Sequence, residues 1–332
     1  MLTCIPRVAL AYLPTPLEEM ENLTRKLKGP PLLIKRDDQT GLAMGGNKAR
    51  KLEYLMADAL AQGADTVVTL GDAQSNQACH TAAAAAKLGL HAVLLLRGEE
   101  PHICTGNLLL DRLLGAKVRW LGEIHPERVE VEPIIEELKE RGLKPYLIPY
   151  GGSNEIGNLG YVLAMKELLE QLERRGEMAD YIVVASCTGG IHVGLVLGAK
   201  IYGYAGKIIG ISVDLRKEAF LNRLINLARA TITHWGWEIS IESQDFLVYD
   251  DYLGEGHELL GPPEVEAINL VAQTEGILLD PVYTGRAMAG LLDLIQKGTF
   301  QPRETVIFWH TGGTPILFAY AQELFRAPRT GR

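Results

Sequence analysis

The sequence predicts an α/β protein of open, twisted, mostly parallel sheets with flanking helices. Three observations carry that reading. Short β-branched or leucine-rich runs alternate with longer helical patterns. Most of the short runs are continuously apolar, as strands are when helices cover both faces of their sheet. The links are short, which suits parallel strands joined by right-handed crossovers. A length of 332 residues accommodates two domains.

In chain order, "DTVVTLG" (Asp65–Gly71) reads as a strand, "SNQACHTAAAAAKLG" (Ser75–Gly89) as a helix ended by glycine, and "HAVLLLRG" (His91–Gly98) as the next strand. The alternation continues through "AKVRWLG", "KPYLIPYGG", "DYIVVASC", "KIIGISV" and "TVIFWHTGG". The most apolar stretch, "VGLVLGAKIYGYAGKIIGISV", contains Lys200, Lys207 and several glycines. It reads as helix, turn and buried strand, not as a membrane span.

Composition narrows the function classes. The chain is 47% hydrophobic and 22% charged, ordinary for a globular protein with a sizeable core. A formal net charge of -8 argues against nucleic acid as the main partner. The cysteines, Cys4, Cys79, Cys104 and Cys187, form no C-x-x-C pair and suggest neither a metal site nor a disulfide framework. The N-terminal apolar run is broken by Pro14 and Pro16 and lacks the long core of a signal peptide. Reduced thiols and a cytoplasmic location are the expectation.

Four predicted strands end in small, turn-forming residues just before a helix: "GDAQSN", "YGGSNEIGN", "SCTGGIHVG" and "HTGGTP". Ligands of open α/β sheets sit outside the carboxyl ends of the strands, so these loops are candidate walls of one site. In "SCTGGIHVG" (Ser186–Gly194), successive N–H groups and a helix N-terminus offer a phosphate nest, or simply a tight strand–helix turn. Ser75 and Asn76 stand where a helix N-cap is expected; the functional reading adds hydrogen bonds to a substrate carboxylate or a ring hydroxyl.

The stretch "GLAMGGNKARKLEYL" (Gly41–Leu55) places Lys48 at a confined turn, with Arg50 and Lys51 close behind. These cations form either a solvated first helical turn or a site with a purpose. Cations at a helix N-terminus oppose the dipole, which disfavours a purely structural role. A lysine amine is nucleophilic only when deprotonated, by desolvation or a nearby positive charge. A cofactor with both a carbonyl and a phosphate explains the lysine and the nest together, and pyridoxal phosphate (PLP) is such a molecule.

At this point "GGNKARKLEYL", "AQSNQ", "LDPVYTGRAMAGL" and "HTGG" resemble the PLP-dependent D-cysteine desulfhydrase and 1-aminocyclopropane-1-carboxylate (ACC) deaminase family, of the tryptophan synthase β-like group, fold type II. The resemblance runs from about Pro14 to the C-terminal helix. It implies that Lys48 is the lysine that binds PLP covalently. Asn76 would partner the ring hydroxyl, and Cys187, Thr188, Gly189, Gly190 and Ile191 would wrap the phosphate. Tyr283 would lie against the ring, and Thr311 would bond its pyridine nitrogen. Ser75, Asn76 and Gln77 would contact the substrate, with Lys48, Ser75 and Tyr283 as the catalytic set. A homodimer acting on a small amino acid is implied too.

Three positions depart from the family pattern. Ile191 stands where a threonine is usual, His257 falls about where a substrate-holding tyrosine is usual, and "QACH" replaces a segment that usually carries an arginine. The deaminases place glutamate after the tyrosine and leucine in the "HTGG" position, where this chain has Thr284 and Thr311. The expected fold is a larger domain, residues 1–50 and 159–332, with a smaller one, 51–158, inserted. The expected activity is β-elimination from a D-cysteine-like substrate, giving pyruvate, ammonia and sulfide. ACC deamination, elimination or racemisation of cysteate or serine, and non-catalytic PLP binding are the alternatives.

Overall fold

The computed structural model describes residues 5–254, 256 and 259–326. Its strands are β1 (Leu17–Glu19), β2 (Leu32–Arg36), β3 (Thr66–Asp72), β4 (His91–Arg97), β5 (Lys117–Trp120), β6 (Pro145–Ile148), β7 (Tyr181–Ser186), β8 (Lys207–Ser212), β9 (Leu247–Tyr249) and β10 (Val306–His310). Its helices are α1 (Glu21–Leu27), α2 (Lys48–Ala61), α3 (Asn76–Leu88), α4 (Gly106–Leu113), α5 (Glu132–Glu140), α6 (Glu155–Arg175), α7 (Gly190–Tyr202), α8 (Lys217–Trp235), α9 (Pro262–Glu275), α10 (Thr284–Gln296), α11 (Ile316–Ala319) and α12 (Ala321–Arg326).

Two sheets form. The larger has the order β1-β2-β10-β7-β8-β9, and the smaller β5-β4-β3-β6. Only β1 runs antiparallel to its neighbour, so the sheets are mostly parallel, as expected. Both faces of each sheet are covered. Along β7, Ile182 and Val184 join a core with α6, α7 and α8, while Val183 and Ala185 point into a second core with α9 and α10. In the small sheet, Val67, Leu94 and Leu96 face α2 and α3, and Val68, Val93 and Leu95 face Leu138 of α5. This two-sided burial is why the strands read as unbroken apolar runs.

The sequence reading named no strand at β1, β2 or β9. Two of these are three residues long, too short for a period. The third, "LLIKR", carries a lysine that looks solvent-facing, yet Lys35 is fully buried in a polar network.

Helix α7 packs along α6 through Gly194 and Gly198, where any Cβ would collide with Tyr161 or Met165. On the other side of α6, Gly160 admits the backbone of α2 at Arg50. Glycines thus bring α2, α6 and α7 close enough for side chains of α2 to reach the start of α7.

Candidate active site

The site is assembled from carboxyl ends of strands in both sheets. Its floor is the turn before Lys48. Gly45 (φ 81°) and Gly46 (φ 141°) adopt conformations that favour glycine, and a Cβ on Gly45 would run into the carbonyl oxygen of Asp38. Thr40 Oγ1 accepts from Gly46 N at 2.7 Å, and Asn47 N donates to Thr311 O at 2.9 Å. A bridge between Gly46 and Gly312 completes the clamp to the end of β10. The glycines therefore let the chain turn within this clamp and start α2 on Lys48.

Lys48 Nζ donates to Gly151 O at 3.1 Å. Burial lowers its pKa to about 8, against the opposing pull of the Cys187 thiol. Desolvation does this rather than Arg50, which faces away from the cleft. The Arg50 guanidinium meets Asp37 at 2.8 Å and Glu167 at 2.8 Å. Lys51 is fully buried beside Lys48, and among the described residues its Nζ has only neutral partners: Gly151 O at 3.0 Å and Ser153 Oγ at 2.8 Å. Burial first, then the Lys48 charge, push its pKa well below the ordinary lysine value. The run "NKARK" is thus no solvated turn.

Opposite Lys51 stands the N-terminus of α7, 13 residues long and preceded by Gly189 in the left-handed region (φ 89°). A Cβ on Gly190 would sit 2.5 Å from Lys51 Nζ and 2.6 Å from Ser153 Oγ. The missing Cβ leaves a cradle of N–H groups with a cation beside it, the donor set that a phosphate takes. Thr188 Oγ1 is 2.7 Å from Ser153 Oγ, so that hydroxyl belongs to the cradle's wall. Ile191 is buried and adds no side-chain donor.

Ser75 caps α3, its Oγ accepting from Ala78 N at 3.2 Å. The structural role read from sequence is therefore present, and Ser75, Asn76 and Gln77 line the cavity as well. Asn76 Oδ1 accepts from Asn107 Nδ2 of α4 at 2.7 Å, which fixes the orientation of the Asn76 amide. On the larger sheet's side, buried Asp280 accepts from the N–H groups of Val282, Tyr283 and Thr284 and from the Thr284 hydroxyl. That ties Tyr283 in place and turns Thr284 away from the cleft. Thr311 follows β10 and is 6% exposed.

One cleft, open at its mouth, gathers Lys48, Ser75, Asn76, Gln77, Cys187, Thr188, Gly189, Gly190, Ile191, Tyr283 and Thr311. Of the residues that the resemblance assigns to cofactor or substrate, His257 alone is not placed there, because it lies outside the described residues; Arg50 and Thr284 face away from the cleft. Buried Arg286 donates to the carbonyls of Gly256 at 3.1 Å and Leu259 at 2.7 Å, on either side of it.

Sequence reasoning missed Asp72, Tyr150 and Asn107, and it gave Lys51 no role of its own. Asp72 and Tyr150 line the cleft, and the phenol donates to Asp72 Oδ2 at 3.2 Å. Both lie in strand-end loops already singled out, "GDAQSN" and "YGGSNEIGN". Their position at the carboxyl ends of β3 and β6 was the available signal. Asn107 gives none, since it reaches the site from a helix far along the chain.

These residues fit PLP. The cradle and Lys51 suit its phosphate, and Lys48 is a half-buried amine with a raised neutral fraction, suited to an aldehyde. Comparisons agree. Residues 8–312 match the family model described as pyridoxal-phosphate dependent enzyme. The D-cysteine desulfhydrase of Klebsiella pneumoniae (strain 342) is 42% identical over 331 residues, covering 97% of this chain and 98% of that protein. A putative 1-aminocyclopropane-1-carboxylate deaminase of Pyrococcus abyssi (strain GE5 / Orsay) is 42% identical over 326 residues, covering 98% and 96%. The crystal structure of an ACC deaminase homologue superposes with a TM-score of 0.89 at 41% identity, covering 98% of this chain and 97% of that one. With fold, cleft and sequence in agreement, the chain belongs to the pyridoxal-phosphate dependent enzymes.

Proposed function

We propose that the chain is a lyase of the D-cysteine desulfhydrase type, which eliminates a β-substituent from a small amino acid. The observation that carries this reading is the neutral character of the residues expected around the pyridine ring. Thr311 lines the cleft where the pyridine nitrogen is expected, and Thr284 is buried with its hydroxyl on Asp280. Both Asp280 oxygens are taken by its own turn. A neutral hydroxyl stabilises a ring cation far less than a carboxylate does. That arrangement suits loss of an α-proton and of a good leaving group. It suits less well the opening of the ACC ring, whose α-carbon carries no proton.

PLP, when bound, supplies the electron sink for the charge left as the α-proton departs. The chain supplies the rest. Lys51 and the N–H groups at Gly189–Ile191 would hold the phosphate, and Asn76, oriented by Asn107, would address the ring hydroxyl. Tyr283 would lie against the ring. The opening turn of α3 and the side chains of Ser75 and Gln77 hold the substrate carboxylate at a positive helix end. Lys48 Nζ is the base for the α-proton, since its lowered pKa puts a useful fraction in the neutral form near physiological pH. Ser75 Oγ is the second candidate to carry that proton.

The same reading takes residues 51–158, with the small sheet, as the inserted smaller domain and the protein as a cytoplasmic homodimer. Among the described residues no helix is long and apolar enough to cross a membrane. The names of the Pyrococcus relative and the solved homologue favour ACC deamination as a second reading. Release of pyruvate and sulfide from a panel of D- and L-amino acids, beside release of 2-oxobutanoate from ACC, tests both. Pyruvate from D-cysteine well above 2-oxobutanoate from ACC is expected. Equal rates, or the reverse order, would overturn the choice.

A further inference from the structure

We infer that Asp72, held by Tyr150, selects the charge of the substrate's β-substituent: it admits neutral or cationic groups and rejects anionic ones. This rests on the elimination reading above and names the class of substrate that the site takes.

Asp72 supplies the only carboxylate among the described residues that line the cleft. It is 8% exposed, so most of its hydration is lost. Among the described residues it forms no ion pair, and its one side-chain hydrogen bond is the phenol of Tyr150, on Oδ2 at 3.2 Å. Oδ1 accepts none. The lysines that line the cleft, Lys48 and Lys51, are turned to Gly151 O. A carboxylate withdrawn from water without a cation is costly, and it is kept where a ligand completes it.

Tyr150 is built to hold that carboxylate. It stands at the start of the turn whose next carbonyl, Gly151 O, takes both lysines, so the Asp72 and Lys48 sides of the cleft are linked through one short turn. The ring of His125 packs edge-on against Tyr150 with centroids 5.9 Å apart. Burial, followed by the neighbouring acidic groups, raises the phenol's pKa, so it stays a donor at all ordinary pH. The phenol faces Asp72 rather than replacing it.

In an amino acid bound here, the α-amine is directed to the cofactor and the carboxylate to the start of α3. The β-substituent is then the group left to meet Asp72. A thiol, hydroxyl or ammonium donates to the free Oδ1. A sulfonate, carboxylate or phosphate faces like charge in a partly dry cleft, a juxtaposition that disfavours binding.

The test compares PLP-loaded wild type with Asp72→Asn and Tyr150→Phe on D- and L-forms of cysteine, 2,3-diaminopropionate and cysteate. Pyruvate release is read as kcat/KM, and binding is read separately as the shift of the cofactor's absorption band during titration. Wild type should prefer cysteine and diaminopropionate to cysteate by roughly 100-fold or more in both readouts. Asp72→Asn should shrink that ratio at least ~10-fold, chiefly by improving cysteate. Tyr150→Phe keeps the carboxylate, so it should keep the sign of the preference. If Asp72→Asn leaves the ratio unchanged, or wild type binds cysteate as well as diaminopropionate, the inference fails. Should Asp72→Asn not fold, the wild-type binding ratio and the Tyr150→Phe ratio still decide. If no amino acid yields pyruvate while the binding ratio holds, the elimination reading fails and the charge selection stands.

Discussion

The two flanks of helix α2 bury charge in opposite ways. On one flank, Arg50 enters a network in which every charge has a partner: Asp37, Glu167 and Lys35 surround it, with Tyr161 and Trp309 both donating to Asp37 Oδ2. Burial alone would raise the Asp37 carboxyl, but the Arg50 guanidinium outweighs it and holds the pKa down to about 2. On the other flank, Lys48 and Lys51 share a single carbonyl and meet no carboxylate among the described residues. One residue of sequence separates the two environments at Arg50 and Lys51. Compensated charge fixes the helix in the fold, and uncompensated charge waits for a ligand.

The sharpest break of this contrast is at Lys48. Lys48→Ala should lower pyruvate release by roughly 10²- to 10⁴-fold, the range of a lost proton-transfer group. In wild type, borohydride should fix PLP to Lys48, as read by peptide mass spectrometry. An adduct on Lys51 would exchange the roles of the two lysines.

Next in size is Arg50→Met. Removing one partner of a buried ionic network leaves Asp37 and Glu167 under-compensated, at a cost of about 3–5 kcal/mol. Urea unfolding of the apoprotein reads this directly. A loss under about 1 kcal/mol would mean that the compensated flank is no more structural than the open one.

Lys51→Met sharpens the comparison from the other side. It removes a buried cation that lacks an ionic partner, so apoprotein stability should hold or rise. PLP affinity should fall roughly 10- to 100-fold, the worth of one charge-assisted hydrogen bond. Gly190→Val fills the same cradle from α7 and should weaken PLP far more than it weakens the fold. Full cofactor occupancy in the valine variant would make the loop a structural turn and nothing more.

The same contrast explains what was legible in the sequence. Strands buried on both faces announce themselves as apolar runs, so the sheets were read well except at β1, β2 and β9. The cleft was legible where a residue type is tied to a local backbone need: glycines before Lys48, glycines before α7, Ser75 at a helix start. It was illegible where partners come from distant segments. Nothing local marks Arg50 as structural and Lys51 as facing the cleft, because their neighbours, Glu167 and Ser153, are more than a hundred residues away. Asp72 and Tyr150 look like ordinary loop residues until β3 and β6 lie side by side.

The smallest expected effect is on pH dependence, and it separates the flanks by pH window. Lys48 titrates at about 8 in the fold against 10.5 for an ordinary lysine. Between those values the unfolded chain holds the proton and the folded chain does not, so folding releases it and apoprotein stability rises with pH. Below 8 both states are protonated and the full burial penalty stands; above 10.5 it is gone. Lys51 is pushed well below its ordinary value as well, so its contribution has the same sign. Asp37 has the same slope in an acid window: its carboxyl is depressed, so its stabilising contribution is present above about 4 and is lost as pH falls towards 2. The measurable quantity is the stability of wild-type apoprotein minus that of Lys48→Met, in which other titrations cancel. Lys48 borders an open cleft, and solvent there screens part of its burial penalty. The difference should therefore rise by about 1 kcal/mol from pH 8 to 10.5. A flat difference would show that Lys48 keeps its hydration. The two flanks of α2 would then differ in partners but not in desolvation.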